Sequence, residues 1–106
     1  MDLDLFNDIE SKEIIKGFHG RFVHMAGFTF AYWEVDAGSE IPVHHHIHEQ
    51  MMQVLEGEFE FTFNGNTRVY TKGMIVKIPS NVPHGGKALT ACKLTDIFCP
   101  VREEYK

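Results

Sequence analysis

The stretch Phe59-Glu60-Phe61-Thr62-Phe63 alternates apolar and polar residues with a period of two and runs straight into Asn64-Gly65-Asn66. An extended strand puts every second side chain on one face, and Asn and Gly accept the positive φ that a tight hairpin needs. The same pattern recurs along the chain. Phe28, Phe30 and Tyr32 alternate with Thr29, Ala31 and Trp33 as far as Val35, where Asp36-Ala37-Gly38 reads as a turn. Residues 51–55 form an apolar run closed by Glu56-Gly57-Glu58, residues 67–71 return to a turn at Lys72-Gly73, and residues 74–78 stop at Pro79-Ser80-Asn81. Residues 87–98 read as one last long strand. A helical period is absent apart from a weak turn near Leu3 to Ile9. Many short strands between turn signals predict an all-β sandwich or barrel.

With 106 residues the chain is long enough for one domain, 1–106, and too short for two. The acidic start, about residues 1–12, is expected to be a loose arm or to add an edge strand to a partner subunit. A barrel of this size buries limited surface alone, so a homodimer is expected. Lys and Arg are outnumbered by Asp and Glu, ten to fifteen, and never stand side by side. Neither nucleic acid nor a membrane surface is therefore an expected partner. The first ten residues carry three aspartates and no apolar core segment, so a signal peptide is not expected. Cys92 and Cys99 match no metal or redox spacing and are expected to be buried free thiols. These points together predict a cytoplasmic location.

Histidine is concentrated in one place: four of the seven fall at His44, His45, His46 and His48. Residues two apart on a strand share a face, so His44 and His46 can reach one ion while His45 points away. Two imidazoles do not complete a site. Gln50 follows closely, and His84 lies in a proline-bounded turn. His45 and His48 are expected in supporting or surface positions, and His19 and His24 in ordinary ones.

The spacing is Gly38, five residues, His44, one residue, His46, three residues, Gln50, six residues, Gly57. It resembles the first cupin motif, with Gln where that family usually has Glu. Gly73, five residues, Pro79, one residue, Asn81, two residues, His84 resembles the second, with Asn81 where Gly is usual and Ala88 where Asn is usual. Asn tolerates positive φ better than other non-glycine residues, so Asn81 is a mild departure. The resemblance implies a cupin double-stranded β-helix, a jelly-roll-like antiparallel barrel. It also implies one divalent metal ion held by His44, His46, Gln50 and His84. Ligand type does not choose among zinc, nickel, manganese and iron. Three imidazoles and an amide carry no charge, so the ion keeps its positive charge and attracts carboxylate, enolate or alkoxide oxygens.

Asp96 and Phe98 share a face by parity, and a carboxylate on an inner face must be paired, ligated or used. A local Asp96–Arg102 ion pair closing the barrel mouth is one reading. The other comes from a closer resemblance. The run 42–63, the loop 79–85 and the tail 96–103 are together similar to the KdgF-type pectin-degradation cupins. That resemblance implies conversion of the cyclic 4,5-unsaturated monouronate released from pectin or alginate into its linear keto form, so the expected partner is a small sugar acid. It puts Asp96 and Arg102 on catalytic positions, and Gln53, Phe98 and Arg102 on substrate-binding positions. The alternatives are another small metal-dependent cupin enzyme, such as a dioxygenase, and a non-enzymatic cupin that binds a sugar or other small ligand.

Overall fold

In the computed structural model, which describes residues 1–106, the chain forms ten strands. They are β1 (Lys12–Ile15), β2 (Phe18–His24), β3 (Thr29–Val35), β4 (Glu40–His44), β5 (Glu49–Glu56), β6 (Phe59–Phe63), β7 (Asn66–Tyr70), β8 (Ile75–Ile78), β9 (His84–Ala88) and β10 (Cys92–Cys99), followed by a 3₁₀ turn at Glu103–Tyr105. One sheet has the order β1-β2-β3-β10-β5-β8 and the other β4-β9-β6-β7, with every pairing antiparallel. This is the all-β architecture that the strand pattern predicts, in the jelly-roll form that the cupin resemblance implies. No helix is long and apolar enough to cross a membrane.

Alternation decides which side chains enter the barrel. Ala31, Trp33 and Val35 of β3, Met52 and Val54 of β5, Phe59 and Phe61 of β6, Val76 and Ile78 of β8, and Leu94 and Phe98 of β10 form one buried cluster. In β3 the inner face is therefore the Thr29-Ala31-Trp33-Val35 set, and Phe30 faces outward. Tyr32, also on the outer face, is covered by Phe6, which meets it edge-on with ring centroids 5.5 Å apart.

Three expectations change. Residues 87–98 are two strands in different sheets, because the chain bends at 89–91. Leu89 and Thr90 both donate their backbone N–H to the Glu58 carbonyl there, which leaves them unavailable to a continuous ladder. The N-terminal residues are not loose: Asp4 accepts from the backbone of Phe6, Asn7 and Asp8 or their side chains through a compact turn, and Arg21 donates to the carbonyls of Phe6 and Ile9. Of the two free cysteines, Cys92 is buried as expected but Cys99 is exposed, since parity turns it to the outer face of β10.

The motif glycines sit at positive φ, Gly38 at 85° and Gly57 at 87°. Space around Gly38 is open, whereas a Cβ on Gly57 would stand 2.3 Å from the Ala91 carbonyl oxygen. Gly38→Ala therefore costs about 1 kcal/mol from backbone conformation alone. Gly57→Ala adds a clash of the kind that costs about 1–3 kcal/mol more. Thermal unfolding should show the Gly57 variant melting clearly below the Gly38 variant. Equal melting temperatures would contradict the close approach at the β10 entrance.

Candidate metal centre

His44 ends β4, and His84 opens β9 directly across from it as a cross-strand pair. His84 is thus a strand residue and not part of the preceding turn. His46 lies past the end of β4, yet its carbonyl accepts the Asn81 N–H at 2.7 Å, which ties the first motif loop to the second. Asn81 holds φ at 64°, the conformation that favours Gly at this place. Glycine within β9 allows the close packing: a Cβ on Gly86 would meet the Phe59 ring at 2.5 Å.

The three imidazoles converge. One ligand nitrogen or equivalent atom from each of His44, His46 and His84 lies within 4.8 Å of the others. Each ring donates from Nδ1 to a backbone carbonyl two residues away: His44 to Pro42 at 2.8 Å, His46 to His48 at 3.0 Å and His84 to Val82 at 2.8 Å. Such bonds set the tautomer and leave the Nε2 lone pairs free, as ligating histidines require. Burial pushes the His84 imidazole down to about 4, and burial followed by the Arg102 charge lowers that of His46, so both are neutral near pH 7.

Gln50 is oriented by its other neighbour. Its Nε2 donates to Asp96 Oδ1 at 2.8 Å, which turns Oε1 toward His46 Nε2 at 3.1 Å. With His46 protonated on Nδ1, two acceptor lone pairs face each other. Two ligands of one ion at ordinary bond lengths of about 2.1 Å stand about 3 Å apart when at right angles. A cation between them converts this repulsion into coordination. The buried His84 Nε2, which has no hydrogen-bond partner in the protein, gives the same indication. The donor set therefore fits a divalent metal, with His44, His46, His84 and the Gln50 amide oxygen placed to hold it. His45 is exposed and points away; His48 is buried and supports the site through its carbonyl.

Asp96 is buried on the inner face of β10, between the indole of Trp33, which donates to Oδ2 at 2.9 Å, and the Gln50 amide. Burial raises its carboxyl to about 6, against the lowering effect of both hydrogen bonds and of Arg102. A carboxylate is thus one amide away from the imidazoles, so an ion held there is not wholly without a counter-charge. The Asp96–Arg102 ion pair, one of the two readings of the sequence, is not formed. Arg102 pairs instead with Glu104, and its backbone N–H donates to Thr29 Oγ1 at 2.9 Å. Arg102 is 8% exposed and its guanidinium lies over the Phe98 ring, 4.6 Å from the centroid.

A cavity brings these groups together, lined among others by His44, Gln50, His84, Asp96, Phe98 and Arg102. Gln53 is not among its walls. It occupies the outer face of β5, between Thr95 and Ile75, because Gln50 and Met52 take the inner positions and parity excludes 53. Trp33 and Tyr105 line the cavity without having been anticipated. The parity of β3 could have found Trp33; nothing in the tail pattern marked Tyr105.

In the chelated protein the two shifted inner groups oppose one another. His84, held below its ordinary value of 6.5, contributes stability that is present above 6.5 and lost as the pH falls toward about 4. Asp96, held above its ordinary 3.8, contributes stability that is complete below 3.8 and lost as the pH rises through about 6. Asp96→Asn removes the second contribution. The chelated variant should lose melting temperature between pH 6.5 and 4 more steeply than chelated wild type; parallel profiles would contradict the buried placement of Asp96.

The family model described as "Cupin domain" matches residues 31–98. No curated protein matches the chain. An RmlC-like cupin from Shewanella frigidimarina superposes with a TM-score of 0.93 at 29% identity, covering 100% of this chain and 96% of that one. KdgF from Halomonas sp. superposes with a TM-score of 0.90 at 23% identity, covering 100% of both chains. A mutant of salicylate 1,2-dioxygenase from Pseudoaminobacter salicylatoxidans has a TM-score of 0.76 at 22% identity, covering 80% of this chain and 27% of that one. The last two likenesses are of fold.

Proposed function

The chain belongs to the cupin domain family, and on that premise we propose that it is a metal-dependent enzyme that converts cyclic 4,5-unsaturated monouronate to its linear keto form. The observation that carries this reading is the Asp96–Gln50–His46 chain, which joins a titratable carboxyl to a metal-binding set in the same cavity as an unengaged guanidinium fork. Full-length superposition on KdgF, against partial coverage of the dioxygenase, supports it.

The reaction is an isomerisation. The hemiacetal C–O bond of the ring breaks as the anomeric hydroxyl gives up its proton, producing an aldehyde and an enol. The enol then becomes a ketone by losing its oxygen-bound proton and gaining one on the neighbouring carbon. A bound divalent ion supplies Lewis acidity toward oxygen. Asp96, titrating near 6, is suited both to take a proton from oxygen and to return one to carbon near neutral pH. Gln50 and Trp33 hold its two oxygens, so the carboxyl keeps one orientation while it exchanges protons. Arg102 takes the substrate carboxylate, the pairing for which a guanidinium is shaped. Phe98 forms the wall between that subsite and His46, 6.1 Å from the imidazole centroid.

Metal-loaded protein should speed the loss of alkene absorbance without consuming oxygen. Oxygen uptake on an aromatic acid, with no effect on the uronate, would instead assign the dioxygenase reading. Saturable sugar-acid binding without product would assign a binding protein. The homodimer expected from the small barrel is part of the proposal: Met51, Ile75 and Ile97 are exposed on the outer face of the six-stranded sheet. Sedimentation at micromolar concentration should give twice the chain mass, and a monomer would remove this element.

A further inference from the structure

The Arg102 guanidinium lies between two aromatic rings. Its guanidinium carbon lies 4.6 Å from the Phe98 centroid and 4.4 Å from that of Tyr105. Glu104 takes its Nε, and its two terminal nitrogens make no hydrogen bond within the protein. This guanidinium, 8% exposed and part of a cavity wall, has its terminal nitrogens free to donate to an anionic ligand. The edge used by Glu104 leaves the end-on edge, between the terminal nitrogens, for a carboxylate.

Phe98 is fixed by the sheet. Tyr105 arrives from the 3₁₀ turn, where its N–H donates to the Arg102 carbonyl at 3.1 Å. It is then held by rings from three strands: Phe22 of β2 stacked at 4.8 Å, Trp33 of β3 edge-on at 5.9 Å and Phe98 of β10 at 5.8 Å. The same Trp33 holds Asp96. Tyr105 thereby docks the end of the tail turn on the barrel, beside the bond from the Arg102 N–H to Thr29 Oγ1.

We propose that Tyr105 is a positioning residue that fixes the plane of the Arg102 guanidinium and so sets the affinity of the cavity for a substrate carboxylate. The inference rests on the uronate reading for the identity of that substrate. A long arginine side chain free to turn must be immobilised when the ligand binds, and pre-alignment removes that cost from binding. Loss of the Tyr105 ring therefore weakens binding of the anion more than it slows chemistry on substrate already bound.

The test measures galacturonate binding to the metal-loaded protein by calorimetry, with galactose as the uncharged control, beside the kinetics of unsaturated monouronate. Tyr105→Ala should raise the Kd for galacturonate and the KM on the order of tenfold, with kcat within about threefold of wild type. Tyr105→Phe, which keeps the ring, should restore both. If Tyr105→Ala does not fold, Tyr105→Leu keeps apolar bulk without the aromatic face and should show the same split. Unchanged Kd and KM in the folded variant would overturn the proposal. So would a Tyr105→Phe protein as weak as Tyr105→Ala, which would give the role to the phenol oxygen itself. A wild type that binds galacturonate in a Tyr105-dependent way but does not linearise the unsaturated uronate would retain this inference and discard the proposed reaction. A wild type that does not bind galacturonate would discard the carboxylate subsite.

Discussion

His84→Ala protein binds divalent metal at least about a hundredfold more weakly than wild type and shows no rise in melting temperature when metal is added. The size of the effect follows from the place of this residue. Its Nε2 is buried without a partner, and its Nδ1 is already committed to Val82, so the ring has a single free function. Changes to groups that merely support a ligand cost about 10–100-fold in metal affinity, and loss of the ligand itself costs more. Metal present at about 100 times its Kd stabilises the native state by about 2.7 kcal/mol. For a domain of this size that is a rise of about 10 °C or more. Wild type should show it, and the variant should not. The melting temperature of the metal-free variant should stay close to that of metal-free wild type, because the substitution also removes a buried nitrogen with no partner. A variant that retains the full metal-induced shift would mean that the ion sits elsewhere.

The second large effect separates chemistry from binding. Asp96→Asn keeps a side chain of the same shape but removes the group that titrates near 6. A well-placed proton-transfer group contributes about 10²–10⁴-fold, and a loss of that order in kcat is expected with metal still bound. Asn can also present its own amide hydrogens to Gln50, so the Gln50 side chain has reason to turn over. Metal affinity should then fall modestly as Oε1 leaves the imidazoles. Arg102→Ala should act mainly on KM, by about 10–100-fold, since it removes the charge-assisted fork that binds the carboxylate. Wild-type linearisation rates in both variants, with metal bound, would remove these two residues from the mechanism.

How far the sequence carries depends on whether a feature is local. Period-two alternation at Phe59–Phe63 and the positive-φ turn at Asn64-Gly65 are properties of neighbouring residues, and the structure has both. The pairing of His44 with His46 is legible for the same reason, since they are two apart; Gln50 and His84 enter only through the resemblance to the cupin motifs, and it is the β4–β9 pairing that brings His84 to the other two imidazoles. Features that need a partner from afar are not legible. The break at 89–91 depends on Glu58, thirty-odd residues earlier, and the orientation of Gln50 depends on Asp96 across the β5–β10 ladder. Gln53 shows a different failure. The resemblance puts it in the pocket, while the alternation that puts Gln50 inside puts Gln53 outside. Glu104 in place of Asp96 as the partner of Arg102 could not have been seen, because the tail had to be followed through its turn back over Phe98.

The most direct test follows freshly released 4,5-unsaturated monouronate by ultraviolet absorbance and NMR in three arms: metal-loaded protein, chelated protein and buffer. The account predicts that the ring alkene is lost faster with metal-loaded protein alone, and that the linear keto product appears in step. Equal rates in all three arms would contradict it and leave a metal-binding cupin whose substrate must be sought elsewhere.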